Sequence, residues 1–145
     1  MFTILDVIDS LRTAIEAVTP TDQATPDDTF RALVTDDGAS RGTRSVTITA
    51  SGPIPIKPGR SCTDWQTTLS LTVWHAMTSA QDDGTRTVYE RALLDSELVA
   101  AAIQTWAGTT TGVNQYEISE ADLAPNGDGW LLTERTVVVQ YSRGA

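Results

Sequence analysis

The chain has 145 residues, 40% of them apolar, which lies in the usual single-domain range of roughly 100–150 residues and suffices for one core without disulfide or metal staples. Its formal net charge of -9 and pI near 4.3 exclude a surface that grips DNA phosphates, because that task takes clustered Lys and Arg. Of its ten basic residues only Lys57 is a lysine; the others are arginines, whose planar guanidiniums suit carboxylate pairing and point to protein partners.

At the amino end, Ile4, Leu5, Ile8, Leu11, Ile15 and Val18 recur every three or four residues behind Thr3 as N-cap, with Asp6 and Asp9 in the first turns. This spacing predicts an amphipathic helix that ends before Pro20. Thr19 to Asp28, with Pro20 and Pro26, is a connector. Phe30, Ala32 and Val34 alternate with Arg31 and Leu33 as a short strand, turned by Asp36-Asp37-Gly38. Val46, Ile48 and Ala50 alternate with Thr47 and Thr49 as a half-buried strand. The segment Ser51 to Arg60 holds Pro53, Pro55 and Pro58, which remove ladder donors, so it is expected as an extended loop within a Pro-rich stretch at about 51–65. It is either an edge segment packed on its own domain or an assembly arm.

Gln66 to Met77 is the longest predicted strand, with Leu69, Leu71, Val73 and His75 on one face and Thr68, Ser70, Thr72 and Trp74 on the other. An acidic turn at Ala80 to Gly84 follows. From Thr85 to Trp106 the period becomes helical, with Val88, Ala92, Val99, Ala102, Ile103 and Trp106 on one face and a stop at Gly108. Asp95 with Glu97 offers a restart cap, so two short helices or one kinked helix are expected. Tyr116 and Ile118 mark a strand, Pro125-Asn126-Gly127-Asp128-Gly129 a turn, and Trp130 to Tyr141 the last strand, with Val137, Val139 and Tyr141 facing away from Val138 and Gln140. The expected fold is α+β: a single domain over residues 1–145 in the order α-β-β-β-α-β-β, with a mostly antiparallel or mixed sheet and helices on one side.

The patterns that carry chemistry are weak. Gly38-Ala39-Ser40-Arg41-Gly42 fits G-x-S-x-G, and Asp64 and His75 follow in triad order, but a nucleophile elbow needs a strand before it and a helix after it. Here an acidic turn precedes and a strand follows. His75 is the only histidine, which rules out a His-pair metal site and leaves Cys62 without a clear base. Cys62, being alone, also allows no intrachain disulfide. The doublets Asp27-Asp28, Asp36-Asp37 and Asp82-Asp83 flank turns, yet the register that puts Gly129 at the EF-hand glycine sets Ala124 and Arg135 at ligand positions. No Walker-type Gly-Lys-Ser/Thr run exists. No catalytic residue, metal site or cofactor is expected. Trp65, Trp74, Trp106 and Trp130 are expected mostly in the core, with one or two at a subunit interface. Met1 to Asp6 lacks the basic flank and apolar core of a signal peptide, and no apolar run approaches the ~20 residues of a membrane span, so a cytosolic protein is expected unless a particle carries it out.

The element order itself is the remaining clue. A short amphipathic helix, a strand pair around a Pro-rich loop (Val46 to Val73), a mid-chain helix (Val88 to Trp106) and a closing hairpin (Tyr116 to Tyr141) resemble the tail-terminator and tail-completion proteins of long-tailed, siphovirus-type bacteriophages. The best local match is the strand Gln66 to Met77 with its acidic turn and Ala- and Glu-rich helix. The resemblance covers most of the chain but transfers no signature residue. It implies a virion structural protein that forms a homo-oligomeric ring, a hexamer in that family, made in the host cytoplasm and placed at the neck end of the tail. Such a ring caps the tail tube, ends its polymerisation and presents a surface to a head-completion or connector protein, while DNA passes through without specific binding and no membrane is involved. An acidic bore would suit that passage, because carboxylates repel phosphates. A ring also needs two different patches that fit each other. The candidate interface residues are Ile54, Ile56, Lys57, Arg60, Arg41 and Arg44, with the carboxy-terminal strand able to add to a neighbour's edge. Other head-tail connectors, a tail-tube subunit or a monomeric ligand-binding domain are the alternatives.

Overall fold

The computed structural model describes residues 1–23, 27–34, 42–56, 63–77 and 86–144. Helix α1 (Ile4–Glu16) starts where expected: the Asp6 carboxylate accepts from the Thr3 backbone N–H at 2.7 Å and from its hydroxyl at 3.1 Å. Its buried face is Val7, Ile8, Leu11 and Ile15, while Leu5 of the predicted stripe points to solvent at 65% exposure. Strands β1 (Arg31–Leu33), β2 (Ser45–Ala50), β3 (Ile54–Pro55) and β4 (Asp64–Ala76) follow, then helix α2 (Val88–Thr109) and strands β5 (Val113–Ile118), β6 (Asp122–Pro125) and β7 (Trp130–Ser142).

The strands form one mixed sheet in the order β1-β2-β4-β7-β5, with β3 beside β4 and β6 beside β7. Among the described strands only the β1–β2 pair is parallel. Both helices pack on the face that carries Val46, Ile48, Leu69, Leu71, Val73, Val137, Val139 and Tyr141, and these residues share one core with Val99, Ile103 and Trp106 of α2. The α+β class and the helix-covered sheet agree with the reading of the sequence, because period-two alternation in β4 and β7 places one apolar face inward.

Several details differ. The Pro-rich stretch is not loop throughout: Ile54 and Pro55 pair with Gln66 and Trp65, and Asp64 and Trp65 open β4. Pro55 is tolerated because β3 lies at an edge. α2 is one continuous helix. Its N-cap is Thr87, whose side chain accepts from the Glu90 N–H at 3.2 Å while Glu90 accepts from the Thr87 N–H at 3.2 Å; Thr87-Val88-Tyr89-Glu90 is a capping box. The Thr87 hydrogen bonds hold the Glu90 carboxyl below its ordinary value. α2 also runs through Gly108 to Thr109, and the glycine that ends the corner is Gly112, at φ +104°. A Cβ there would stand 2.7 Å from Cδ1 of Phe2, whose ring packs edge-on to Tyr141 at 6.2 Å. Gly112→Ala is therefore expected to lose roughly 1–3 kcal/mol, from the left-handed backbone and the displaced ring, read as a lower urea midpoint with unchanged slope. A change within 0.5 kcal/mol would show that the corner relaxes freely.

Candidate functional site

The buried side of α2 is not wholly apolar. In its first half it carries Arg91, Asp95 and Ser96, and Asp95 is 1% exposed. Asp95 Oδ2 accepts from Arg44 Nε at 2.8 Å and lies 2.7 Å from His75 Nε2. Arg44 adopts φ 67° at the entry to β2, where its N–H donates to the Trp74 carbonyl at 2.7 Å, and this turn aims the guanidinium inward. There it also donates to the Asp28 carboxylate and, at 2.8 Å, to the Asp22 carbonyl, while Arg91 Nε donates to Asp22 Oδ2 at 2.9 Å. Burial pulls the Arg44 pKa down, but the hydrogen bonds and charges of Asp95 and Asp28 more than offset this and leave it above its ordinary value. The network ties the connector before β1, the start of β2, the end of β4 and α2 to one another. Such a buried ion cluster holds connectors in place; Arg44, Asp95 and His75 are all 1% exposed and offer no surface to a substrate.

The two residues that follow Ser40 in triad order are far apart. Asp64 and His75 stand eleven residues apart on one unbroken strand, about 36 Å at ~3.3 Å per residue. The carboxylate beside His75 is Asp95. Ser40 and Cys62 lie outside the described residues, as do Asp36-Asp37 and Asp82-Asp83. Asp95 is not the restart cap expected: its position three residues after Ala92 and four before Val99 sets it on the apolar stripe, which is the sequence signal of a buried partner.

The interface candidates separate. Ile54 is 57% exposed on β3 and Ile56 is half-buried, its N–H donating to the Asp64 carbonyl at 3.1 Å. Lys57, Arg60 and Arg41 lie outside the described residues. Arg44 is corrected: it is not at the surface but in the ion network, because three acceptor residues offset the cost of burying it. The carboxy-terminal strand is corrected too. β7 lies inside the sheet, paired with β4 on one side and with β5 and β6 on the other, so its edges are already used. The outer edge of β1 is also occupied: Arg12 Nε donates to the Ala32 carbonyl at 3.3 Å and the Ala32 N–H to Glu16 at 3.4 Å.

Among the described residues two broad surfaces stand out. The first is an open groove of about 820 Å³ between α1 and α2, lined by Ser10, Thr13, Ala14, Ala17, Val18, Leu98, Ala101, Ala102, Thr105, Trp106, Thr109 and Thr110, none of them charged. Trp106 forms its floor and donates from Nε1 to Ser10 Oγ at 2.8 Å. The second is the sheet face turned away from the helices. By register it carries Asp64, Gln66, Thr68, Ser70, Thr72 and Trp74 of β4, Leu132, Glu134, Thr136, Val138 and Gln140 of β7, Gln115 and Glu117 of β5, and Asp122 and Ala124 of β6. Asp122 and Glu134 are directly opposed and both exposed. The one cation on this face among the described strands is Arg31, at the far edge. Trp74 and Trp130 close one corner, edge-on at 5.9 Å, with Trp74 Nε1 donating to Thr47 at 3.1 Å.

No protein-family model matches this chain, and the search of curated proteins finds no match. Among the described residues no three His, Cys, Asp or Glu side chains come together as a metal ligand set, and no helix is long and apolar enough to cross a membrane.

Proposed function

We propose that the chain is a virion structural protein of a long-tailed phage, a subunit of a ring that caps the tail tube, ends its polymerisation and provides the surface for head attachment. The observation that supports the reading is the set of carboxylates Asp64, Glu117, Asp122 and Glu134 on the part of the sheet face that is turned away from the helices and exposed. Directly opposed carboxylates such as Asp122 and Glu134 destabilise a strand pair slightly, and a chain that keeps them gains a surface to which phosphates do not adhere. Turned towards a ring's bore, that face lets a duplex slide past. The resemblance in element order supplies the class; the acidic face supplies its use.

The test is electron microscopy of the purified protein, alone and with polymerising tail-tube protein, joined to a gel-shift assay. Rings at tube ends are expected. Wild type should leave duplex DNA unshifted, whereas Glu117→Lys with Asp122→Lys and Glu134→Lys should retain it in a salt-dependent way. Incorporation along the tube would favour a tube subunit, and attachment only to heads another connector. Monomers at every concentration, with and without tube ends, would sink the reading. A second reading, a monomeric ligand-binding domain, is favoured by the groove, since about 820 Å³ lies in the 300–1,000 Å³ range of small-molecule sites. A monomer whose melting temperature rises with an apolar ligand, and no longer does so in Ala101→Glu, would support it.

A further inference from the structure

We infer that a single ordered water is a built part of this protein, held beneath α2 by Thr133 Oγ1, Arg135 Nε and Ser96 Oγ. The site belongs to the folded chain itself, whether or not copies of it assemble. Thr133 and Arg135 are two residues apart on β7, opposite Val73 and Leu71 of β4, so both point to the side of the sheet that the helices cover. That side is otherwise apolar here. Leu71, Val73 and Val99 line the same small cavity as Thr133, Arg135 and Ser96.

Thr133 Oγ1 and Arg135 Nε are both shut off from solvent, and neither has a hydrogen-bond partner among the described residues, although Thr133 is only 2% exposed. Buried polar atoms are nearly always satisfied, by protein or by ordered water. Turning the guanidinium would not help, because its other nitrogens are engaged. Nη1 donates to the Ser119 carbonyl at 2.8 Å, and Nη2 to the Ser96 hydroxyl at 2.7 Å and the Ser96 carbonyl at 3.3 Å. None of these acceptors is charged, and burial pulls the Arg135 pKa below its ordinary value, so the cation gains from one more oxygen at Nε.

Size and chemistry select the occupant. The cavity has a volume of about 10 Å³, close to the roughly 10–15 Å³ that one water requires. Chloride is too large for it, and a sodium or ammonium ion would face the guanidinium. Water accepts from Nε, exchanges a bond with the Thr133 hydroxyl and reaches Ser96 Oγ, which makes the three partners usual for a buried water. It then ties the middle of α2 to β7, beside the bond from Arg135 to the β5–β6 connector at Ser119.

A high-resolution crystal structure should show this water within roughly 2.7–3.2 Å of both Thr133 Oγ1 and Arg135 Nε. Thr133→Val keeps the shape and the strand preference but removes the hydroxyl. With the water in place its melting temperature should fall by about 2–4 °C, whereas exchanging an unbonded hydroxyl for a methyl would leave it unchanged or raise it. Thr133→Ser should retain the water. A cavity without water density, combined with a valine variant as stable as wild type, would overturn the site. So would a structure in which the Thr133 hydroxyl bonds a protein atom directly.

Discussion

Asp95→Ala is expected to destabilise the protein by about 3–5 kcal/mol, the largest loss from any single polar change here. The reason lies in what remains. Arg44 would stay 1% exposed with its fork unmatched, and His75 would lose the acceptor 2.7 Å from Nε2. The Asp28 and Asp22 contacts offset only part of that. An Asp95→Leu, Arg44→Met pair removes both charges, and its loss should be smaller than the sum of the two single losses, because no charge is left uncompensated. Urea unfolding of the four proteins gives the cycle. A single-variant loss under ~1 kcal/mol would show that the cluster is solvated rather than buried. Alkaline pH should not weaken it: a cation whose pKa is raised above its unfolded value stabilises at every pH below that value, and the loss begins only beyond the ordinary pKa of arginine.

Trp106→Ala should cost a similar 3–5 kcal/mol, by removing the largest side chain that both helices share. Trp106 is 4% exposed, belongs to the core with Leu11 and Ile103, and bonds Ser10 at 2.8 Å. Its loss would leave a void that the backbone cannot fill, since α1 and α2 are each fixed to the sheet by other residues. Trp106→Phe keeps most of the packing and should lose far less, leaving Ser10 Oγ without its donor at roughly 1 kcal/mol. Equal losses in the two variants would mean that the hydrogen bond, not the ring, joins the helices.

The acidic composition, the helix at Ile4 and the two long alternating strands were legible because each depends on local spacing: period two or 3.6 sets which side chains share a face. The capping box Thr87-Val88-Tyr89-Glu90 is equally local, a Thr followed three residues later by Glu, and it starts α2 without any restart at Asp95. What spacing could not supply was partnership. Asp95 sits on an apolar stripe, and whether it caps, protrudes or pairs depends on Arg44, 51 residues earlier in the chain. The same holds for β7. Its alternation marks a strand with one buried face, but a central and an edge strand read alike in sequence, and only the pairing with β4, β5 and β6 closes its edges.

The α+β class, the inward faces of the main elements and the acidic balance can be read from the chain alone, because they follow from backbone periodicity and ionisable composition. Packing alone decided that Arg44 lies inside rather than on an interface, that Asp64, Glu117, Asp122 and Glu134 come to share one sheet face, and that an uncharged groove opens between the two helices. These are long-range facts: burial and charge placement depend on which strands become neighbours, and chain connectivity fixes that only when the sheet and its helices have packed.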